Sequence, residues 1–312
     1  MREQPFRLVF MGTPEFAVPS LEVLCQRSDL VTVLGVYTQP DKPTGRGNKI
    51  TSTPVKMCAQ KYGIPVLQPE NLNEPSSLEH LQSLQLDYII VAAYAQFLGS
   101  KVLATPTYGC LNVHASLLPK YRGAAPVQYA LLNGEKETGI SIIRLVKKMD
   151  AGPILRQSAL PITEEATTAQ LLEQLAESGA KTLIETLENP IMETPQNEDQ
   201  ATYAKKILKE DGRISWEQNA EQILNQIRAF DPWPGTFVQL SSGILKVKKA
   251  RVGVPPLAGF RANQGQVFVE SGTILVRCLD YWLELLEVQL EGRKTQSARE
   301  FLNGYKQELR FV

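Results

Sequence analysis

The stretch RLVFMGTPEFAVPSLEVLCQR, Arg7 to Arg27, has the pattern of a buried strand, a glycine turn and a helix. Thr13 is a residue type that caps helices, and Pro14 suits the first helical position. A strand followed directly by a helix is the repeating unit of a parallel sheet with helices on its faces. This stretch therefore decides the fold class that we predict for the N-terminal half.

The same pattern continues downstream. Three further β-rich apolar runs follow, LVTVLGVYT at 30–38, DYIIVAAYA at 87–95 and GCLNVHA at 109–115. Such runs are typical of strands buried on both faces. Helical stretches are predicted at 54–62, 77–84, 125–133 and 168–189. We predict an α/β fold, a doubly wound, mostly parallel and Rossmann-like sheet, with ligands bound beyond the carboxyl ends of its strands.

The pattern changes in the C-terminal part of the chain. After an aperiodic stretch of Pro, Asn and acidic residues come five short strands separated by Gly, Asn, Asp and Ser, beginning with GTFVQLS and GILKVKKARV. Closely spaced short strands favour a small antiparallel, OB-like barrel. We therefore predict a first domain at 1–190, a linker at 191–210 and a barrel domain at 211–312.

Composition bounds the class of protein. The chain has 312 residues, of which 43% are apolar and 21% charged, as in globular proteins. No apolar run approaches the roughly 20 residues of a membrane span, and the first residues lack the apolar core of a signal peptide. The four cysteines form no CxxC pair. We expect a soluble cytoplasmic protein with reduced thiols, no metal and no membrane partner.

Positive charge is concentrated although the formal net charge is zero. Between 240 and 269 there is no acidic residue, and the basic residues are Lys246, Lys248, Lys249, Arg251 and Arg261. Such a run is either a basic face for nucleic acid or a strand edge guarded by lysines. The loop PDKPTGRGNK adds Lys42, Arg46 and Lys49, which could grip phosphates or be simply solvated. The chain contains neither GxGxxG nor GxxxxGK[ST].

One polar pair marks the end of the predicted strand at 109–115. Asn112 and His114 stand at i and i+2, so both side chains leave the same face and could converge on one oxyanion. The alternative is that Asn112 starts a turn and His114 is a hydrogen-bonded polar residue at the end of the strand. Asp150 could orient the imidazole and help to remove a proton, although Asp-x-Gly is also ordinary turn chemistry.

The tryptophans allow two interpretations. Trp233 lies in AFDPWPG, which could be a stacking platform or part of the core, and we expect Trp216, Trp233 and Trp282 to be core residues.

The motifs VFMGTPEFA, TQPDKPTGRG, NVHASLLPKYRGAAP, MDAGPIL and IRAFDPWPG, with the basic barrel, resemble the methionyl-tRNA formyltransferase family of folate-dependent formyltransferases over nearly the whole chain. SLLP followed by RGAAP is specific to that superfamily, and the 38 positions from Asn112 to Asp150 match its Asn, His and Asp set. Ala95, Ala115, Lys120 and Tyr121 depart from the family pattern.

The resemblance implies transfer of a formyl group from 10-formyltetrahydrofolate to the amino group of methionine on initiator tRNA, in translation initiation. It implies that Asn112 and His114 hold the oxyanion and that Asp150 orients His114 and assists proton removal. The folate site would be lined by Ser116, Leu117, Leu118 and Pro119. The tRNA would be bound by Lys42, Arg46, Lys49, Lys246, Lys248, Lys249 and Arg251.

Three other functions compete with this one, for which we expect a monomer. One of them is a tRNA-binding protein that has lost catalysis. A formyltransferase for a sugar nucleotide or other small amine would share the first domain, but it would have little use for the basic barrel. A dinucleotide-dependent oxidoreductase would need the glycine fingerprint that the chain lacks.

Overall fold

A computed structural model of the protein describes residues 4–44, 49–241, 243–256, 262–305, 307 and 309–311. The chain divides into two compact units, each built from separate stretches of sequence. Unit 1 comprises Met1–Pro126, Glu137–Pro161 and Leu172–Ala204. Unit 2 comprises Val127–Lys136, Ile162–Leu171 and Lys205–Val312. The boundaries at 190 and 211 stay a prediction.

Unit 1 is built around a seven-stranded sheet. Its strands and short bridges are β1 Phe6–Gly12, β2 Val31–Tyr37, β3 Lys42–Thr44, β4 Lys49–Thr51, β5 Val66–Leu67, β6 Tyr88–Ala92, β7 Cys110–His114, β8 Arg122–Gly123, β9 Glu137–Arg144, β10 Ile154–Pro161 and β11 Tyr203–Ala204. The main sheet has the order β10-β9-β7-β6-β1-β2-β5. The run from β7 to β5 is parallel, whereas β9 and β10 are antiparallel to their neighbours. The predicted mostly parallel, doubly wound sheet is confirmed.

Helices connect these strands. They are α1 Val18–Gln26, α2 Pro54–Lys61, α3 Pro75–Ser83, α4 Ser100–Leu103, α5 Pro126–Leu132 and α6 Thr168–Glu188. Thr53 caps α2 by accepting from the Lys56 amide. The predicted cap at Thr13 is wrong, because its hydroxyl donates to the carbonyl of Tyr94 and a 3-10 turn precedes α1.

Apolar side chains from the sheet form the core of unit 1. Val9 and Met11 of β1 and Ile89 of β6 are fully buried and pack with Leu81 of α3. Burying one such side chain stabilises the fold by about 1.5–3 kcal/mol. The packed sheet is therefore a rigid base for the residues that follow its strands.

Unit 2 is an antiparallel sheet with two further helices. Its elements are α7 Ala220–Ala229, β12 Thr236–Leu240, β13 Gly243–Gly253, β14 Val267–Glu270, β15 Thr273–Arg277, β16 Trp282–Leu290, β17 Gln296–Ser297 and α8 Ala298–Gly304. The order is β12-β13-β16-β15-β14, with β17 on β16, and all neighbours are antiparallel. Its core contains Ile223 of α7 with Leu245 and Leu283 of the sheet. This agrees with the predicted small antiparallel barrel.

The tryptophans of unit 2 differ in burial. Trp282 is buried, and Trp216 is partly buried and stacks on Phe311. Trp233 is 55% exposed, since it lies in the turn between α7 and β12. The core interpretation is therefore wrong for Trp233.

No helix in the described parts of the chain has the length and apolar character that crossing a membrane requires. The four cysteines are free thiols, and burial raises the pKa of Cys58 to about 11.

Candidate active site

Strand β7 delivers the two predicted donors at its carboxyl end. Asn112 pairs with Val91 of β6 and Ile143 of β9, and His114 pairs with Ser141 of β9. Strand alternation puts both side chains on one face. The His114 ring is buried, and Asn112 is half-buried. The side-chain amide of Asn112 forms no hydrogen bond with another described residue. That amide can therefore donate to a ligand.

One nitrogen of the His114 ring hydrogen-bonds to a backbone carbonyl, and the other lies beside a carboxylate. Nε2 lies 3.0 Å from the carbonyl oxygen of Tyr121. A carbonyl only accepts, so Nε2 carries a proton and Nδ1 holds the lone pair of the neutral ring. Nδ1 lies 3.8 Å from Oδ2 of Asp150. Nδ1 is therefore the ring nitrogen left for chemistry.

Asp150 is held by the backbone of the short strand β8. The Gly123 amide donates to Asp150 Oδ2 over 2.9 Å. Asp150 has φ +48°, a left-handed conformation that Asp adopts more readily than most residues. Gly123 has φ +117°, and a Cβ there would lie 2.5 Å from the carbonyl oxygen of Ala204. The position of the carboxylate thus depends on two unusual backbone conformations.

Two residues that the sequence analysis did not assign to the site support the same turn. The Gln196 side-chain amide donates to the carbonyl oxygens of Asp150 and Gly152, both over 2.7 Å. Its own oxygen accepts from Nε of Arg122 over 3.0 Å and from Nη2 over 2.8 Å. Arg122 is fully buried. The sequence marks Arg122 only by its place in the motif RGAAP, and it contains no motif that marks Gln196.

An acidic residue completes this network. The Arg122 guanidinium donates to both carboxylate oxygens of Glu198, over 3.1 and 3.0 Å, and Lys148 Nζ lies 2.5 Å from Glu198 Oε2. The hydrogen bond from Arg122, followed by that from Lys148, lowers the pKa of Glu198 to about 2. Glu198 is therefore ionised at neutral pH.

The SLLP loop follows β7 directly. Ser116 is fully buried and donates to a backbone carbonyl of the same loop over 2.6 Å, and Leu118 is buried. Ser141 ties the loop to β9 by accepting from the Leu118 amide and donating to the Ser116 carbonyl. Leu117 and Pro119 are half-buried. Of the four residues expected to line a folate site, these two offer side-chain surface.

The basic loop of unit 1 forms a hairpin of β3 and β4. Lys42 is exposed on β3, Lys49 lies in β4, and Arg46 lies outside the described residues. Asp41 stands at the start of the hairpin with Lys56 Nζ 2.6 Å from its Oδ2, and that contact lowers the pKa of Asp41. The hairpin is thereby joined to α2.

The basic strand of unit 2 is irregular in a way that affects its charges. The register of β13 with β16 shifts between Val247 and Lys249 and again before Ala250. A β-bulge reverses the alternation of side chains. Lys246 and, beyond the bulge, Lys249 and Arg251 are accordingly all exposed.

Strand β13 carries four basic residues, Lys246, Lys248, Lys249 and Arg251, and two of them form ion pairs. Lys248 Nζ lies 2.9 Å from Oδ1 of Asp231, and Arg251 Nε lies 2.8 Å from Oε2 of Glu284, which raises the pKa of Arg251. Lys246 and Lys249 form no ion pair with a described residue. Arg261 lies outside the described residues.

Comparison with known proteins places the chain among formyl transferases. The family described as formyl transferase matches residues 6–187, and the one described as formyl transferase, C-terminal domain matches residues 206–306. The methionyl-tRNA formyltransferase of Caldanaerobacter subterraneus subsp. tengcongensis is 43% identical over 309 residues, covering 96% of this chain and 97% of that protein. That of Methylococcus capsulatus is 41% identical over 303 residues, with 96% and 97% covered.

Solved structures are similar in fold. The N-formyltransferase from Helicobacter canadensis, in complex with folinic acid and dTDP-3-aminofucose, has a TM-score of 0.65 at 19% identity, covering 90% of this chain and 98% of that one. A variant of HypX from Aquifex aeolicus has a TM-score of 0.62 at 17% identity. The match covers 98% of this chain but 49% of HypX, so the chain spans about half the length of HypX.

Proposed function

The chain belongs to the formyl transferase family, and from that membership we propose that it moves a formyl group from 10-formyltetrahydrofolate to the amino group of methionine on initiator tRNA. It is a folate-dependent formyltransferase of the methionyl-tRNA type. The observation that carries this is the match to methionyl-tRNA formyltransferases at 43% and 41% identity over 96% of the chain, which includes the C-terminal part. The reaction belongs to translation initiation, and we propose a cytoplasmic monomer.

The first step forms a bond between the amine nitrogen and the formyl carbon, and negative charge develops on the formyl oxygen. The side-chain amide of Asn112, which forms no hydrogen bond with a described residue, donates to that oxygen. Nδ1 of His114 carries no proton at this point, so it donates to that oxygen only after it has taken the proton of the amine. Losing a donor of this kind typically slows an enzyme by about 10² to 10³.

The second step moves one proton. The attacking amine must lose a proton, and N10 of the folate must gain one as its bond to the formyl carbon breaks. His114 accepts the amine proton at Nδ1, since Nε2 is committed to the Tyr121 carbonyl, and gives that proton to N10 as the bond between N10 and the formyl carbon breaks. The Asp150 carboxylate, 3.8 Å away, stabilises the imidazolium that results.

Binding uses other parts of the chain. Leu117 and Pro119 present apolar surface to the folate ring, on a loop that Ser141 holds in place. We assign contacts with tRNA phosphates to Lys246 and Lys249, which form no ion pair with a described residue, and to Lys42, Arg46 and Lys49. Lys248 and Arg251 contribute less, because each already has a carboxylate partner.

A comparison of acceptors tests this function. Purified protein with 10-formyltetrahydrofolate is offered methionyl initiator tRNA, methionine amide or dTDP-3-aminofucose. We expect rapid formylation of the tRNA alone, with a KM that rises steeply with salt as the binding of phosphates weakens. Preferential formylation of the sugar nucleotide would establish the small-amine function instead.

A further inference from the structure

We propose that Gln196, oriented by Arg122, is a positioning residue that holds Asp150 at its distance from His114. This inference rests on the proposed function, because it concerns how the reacting carboxylate is held. Gln196 lies far along the chain from β7 and contacts neither His114 nor Asn112 through any hydrogen bond in the structure.

The turn that carries Asp150 needs outside support. Asp150 adopts φ +48°, and inside the turn the backbone bond from the Ala151 amide to Lys148 is long, at 3.3 Å. The Gln196 amide places one N–H on the carbonyl of Asp150 and the other on that of Gly152. Both bonds are 2.7 Å long. Gln196 therefore joins the two carbonyls that flank the turn.

The orientation of that amide is itself fixed. Oε1 of Gln196 receives two N–H groups of Arg122, so the NH₂ group must face the turn. Arg122 is fully buried and is held on its other side by Glu198. The next residue, Gly123, donates to Oδ2 of Asp150. The short strand β8 thus fixes the carboxylate directly, and it fixes the backbone of the same residue through Gln196.

Gln196→Glu is the sharpest test. The new carboxylate keeps the contact with Arg122, but one of its oxygens then faces two carbonyl oxygens where two N–H groups stood. A misplacement of about 1 Å can lower a rate by about 10²-fold. We expect kcat to fall by about 10²-fold, with the KM values for tRNA and folate within about threefold of wild type.

Gln200→Glu is the matched control. It makes the same charge change in the same segment, and Gln200 is exposed and forms no side-chain hydrogen bond with a described residue. We expect wild-type kinetics from this variant. A loss in Gln200→Glu as large as that in Gln196→Glu would assign the effect to charge near the tRNA and overturn the proposal.

A double-mutant cycle separates positioning from general stability. If Gln196 acts through Asp150, Gln196→Glu in an Asp150→Asn background lowers the remaining rate by less than about threefold. A full further loss, or a wild-type kcat in the single variant, would overturn the proposal. If Gln196→Glu does not fold, Arg122→Lys takes its place as the test variant, and we expect its kcat to fall while its KM is unchanged. An unchanged kcat in Arg122→Lys would also overturn the proposal. A wild-type protein that fails to formylate methionyl-tRNA would instead refute the proposed function.

Discussion

Asp150→Asn changes one charge in the candidate site and little else. Asn, like Asp, accepts the left-handed conformation at φ +48°, and its side-chain carbonyl can still accept from the Gly123 amide. The 3.8 Å between His114 Nδ1 and Asp150 Oδ2 sets the size of the effect. Two unit charges at about that distance interact by about 4 kcal/mol at an effective dielectric constant of about 20.

At about 1.4 kcal/mol per factor of ten, removing that interaction lowers kcat by about 10³-fold. Single-turnover formylation of methionyl-tRNA measures the loss, and filter binding measures tRNA affinity, which we expect to stay within about threefold of wild type. Asp199→Asn, at an exposed position outside the site, is the control. An Asp150→Asn enzyme within about tenfold of the wild-type rate would refute the reasoning that a carboxylate must stabilise the imidazolium.

Further expectations concern the tRNA surface, pH and backbone strain. Replacing Lys246 and Lys249 with Ala should raise the KM for tRNA at constant kcat and reduce the slope of log affinity against log salt by about 1 for each phosphate that is no longer bound. Arg251→Ala should change that slope less, because Arg251 is paired with Glu284. An unchanged slope in the double variant would remove both lysines from the interface. Because the pKa of Glu198 is lowered from 4.5 to about 2, first by Arg122 and then by Lys148, its stabilising effect is present above pH 4.5 and is lost as the pH falls toward 2. Denaturant titrations across that interval should show wild type losing more stability than Glu198→Gln, and equal losses would contradict the ion pair. Ala95 has φ +66°, so Ala95→Gly should stabilise the protein by about 0.5–1 kcal/mol in urea unfolding, and destabilisation would argue against strain there.

Local rules predicted the part of the site that lies on one strand. Asn112 and His114 share a face because side chains alternate along β7, and the mostly parallel sheet follows from strands that alternate with helices. No local rule brings Asp150 back to His114 across 36 positions. That approach depends on β9 turning antiparallel beside β7 and on a left-handed residue at the turn.

Other features depend on interactions between distant parts of the chain. Gln196 is one polar residue among several in an aperiodic stretch, and only its hydrogen bonds with Arg122 and the Asp150 turn give it a role. The outward position of Lys249 depends on a bulge that alternation alone would not place. Trp233 is apolar enough for a core, yet its turn leaves it exposed.

A crystal structure with a stable formyl-bearing folate analogue tests most directly whether three side chains meet at one carbonyl group. We expect the formyl oxygen within about 3 Å of the Asn112 side-chain amide nitrogen, with His114 Nδ1 facing the formyl group. We also expect the Asp150 carboxylate to remain beside the imidazole. A bound analogue whose formyl group lies beyond hydrogen-bond reach of both Asn112 and His114 would contradict the proposed chemistry.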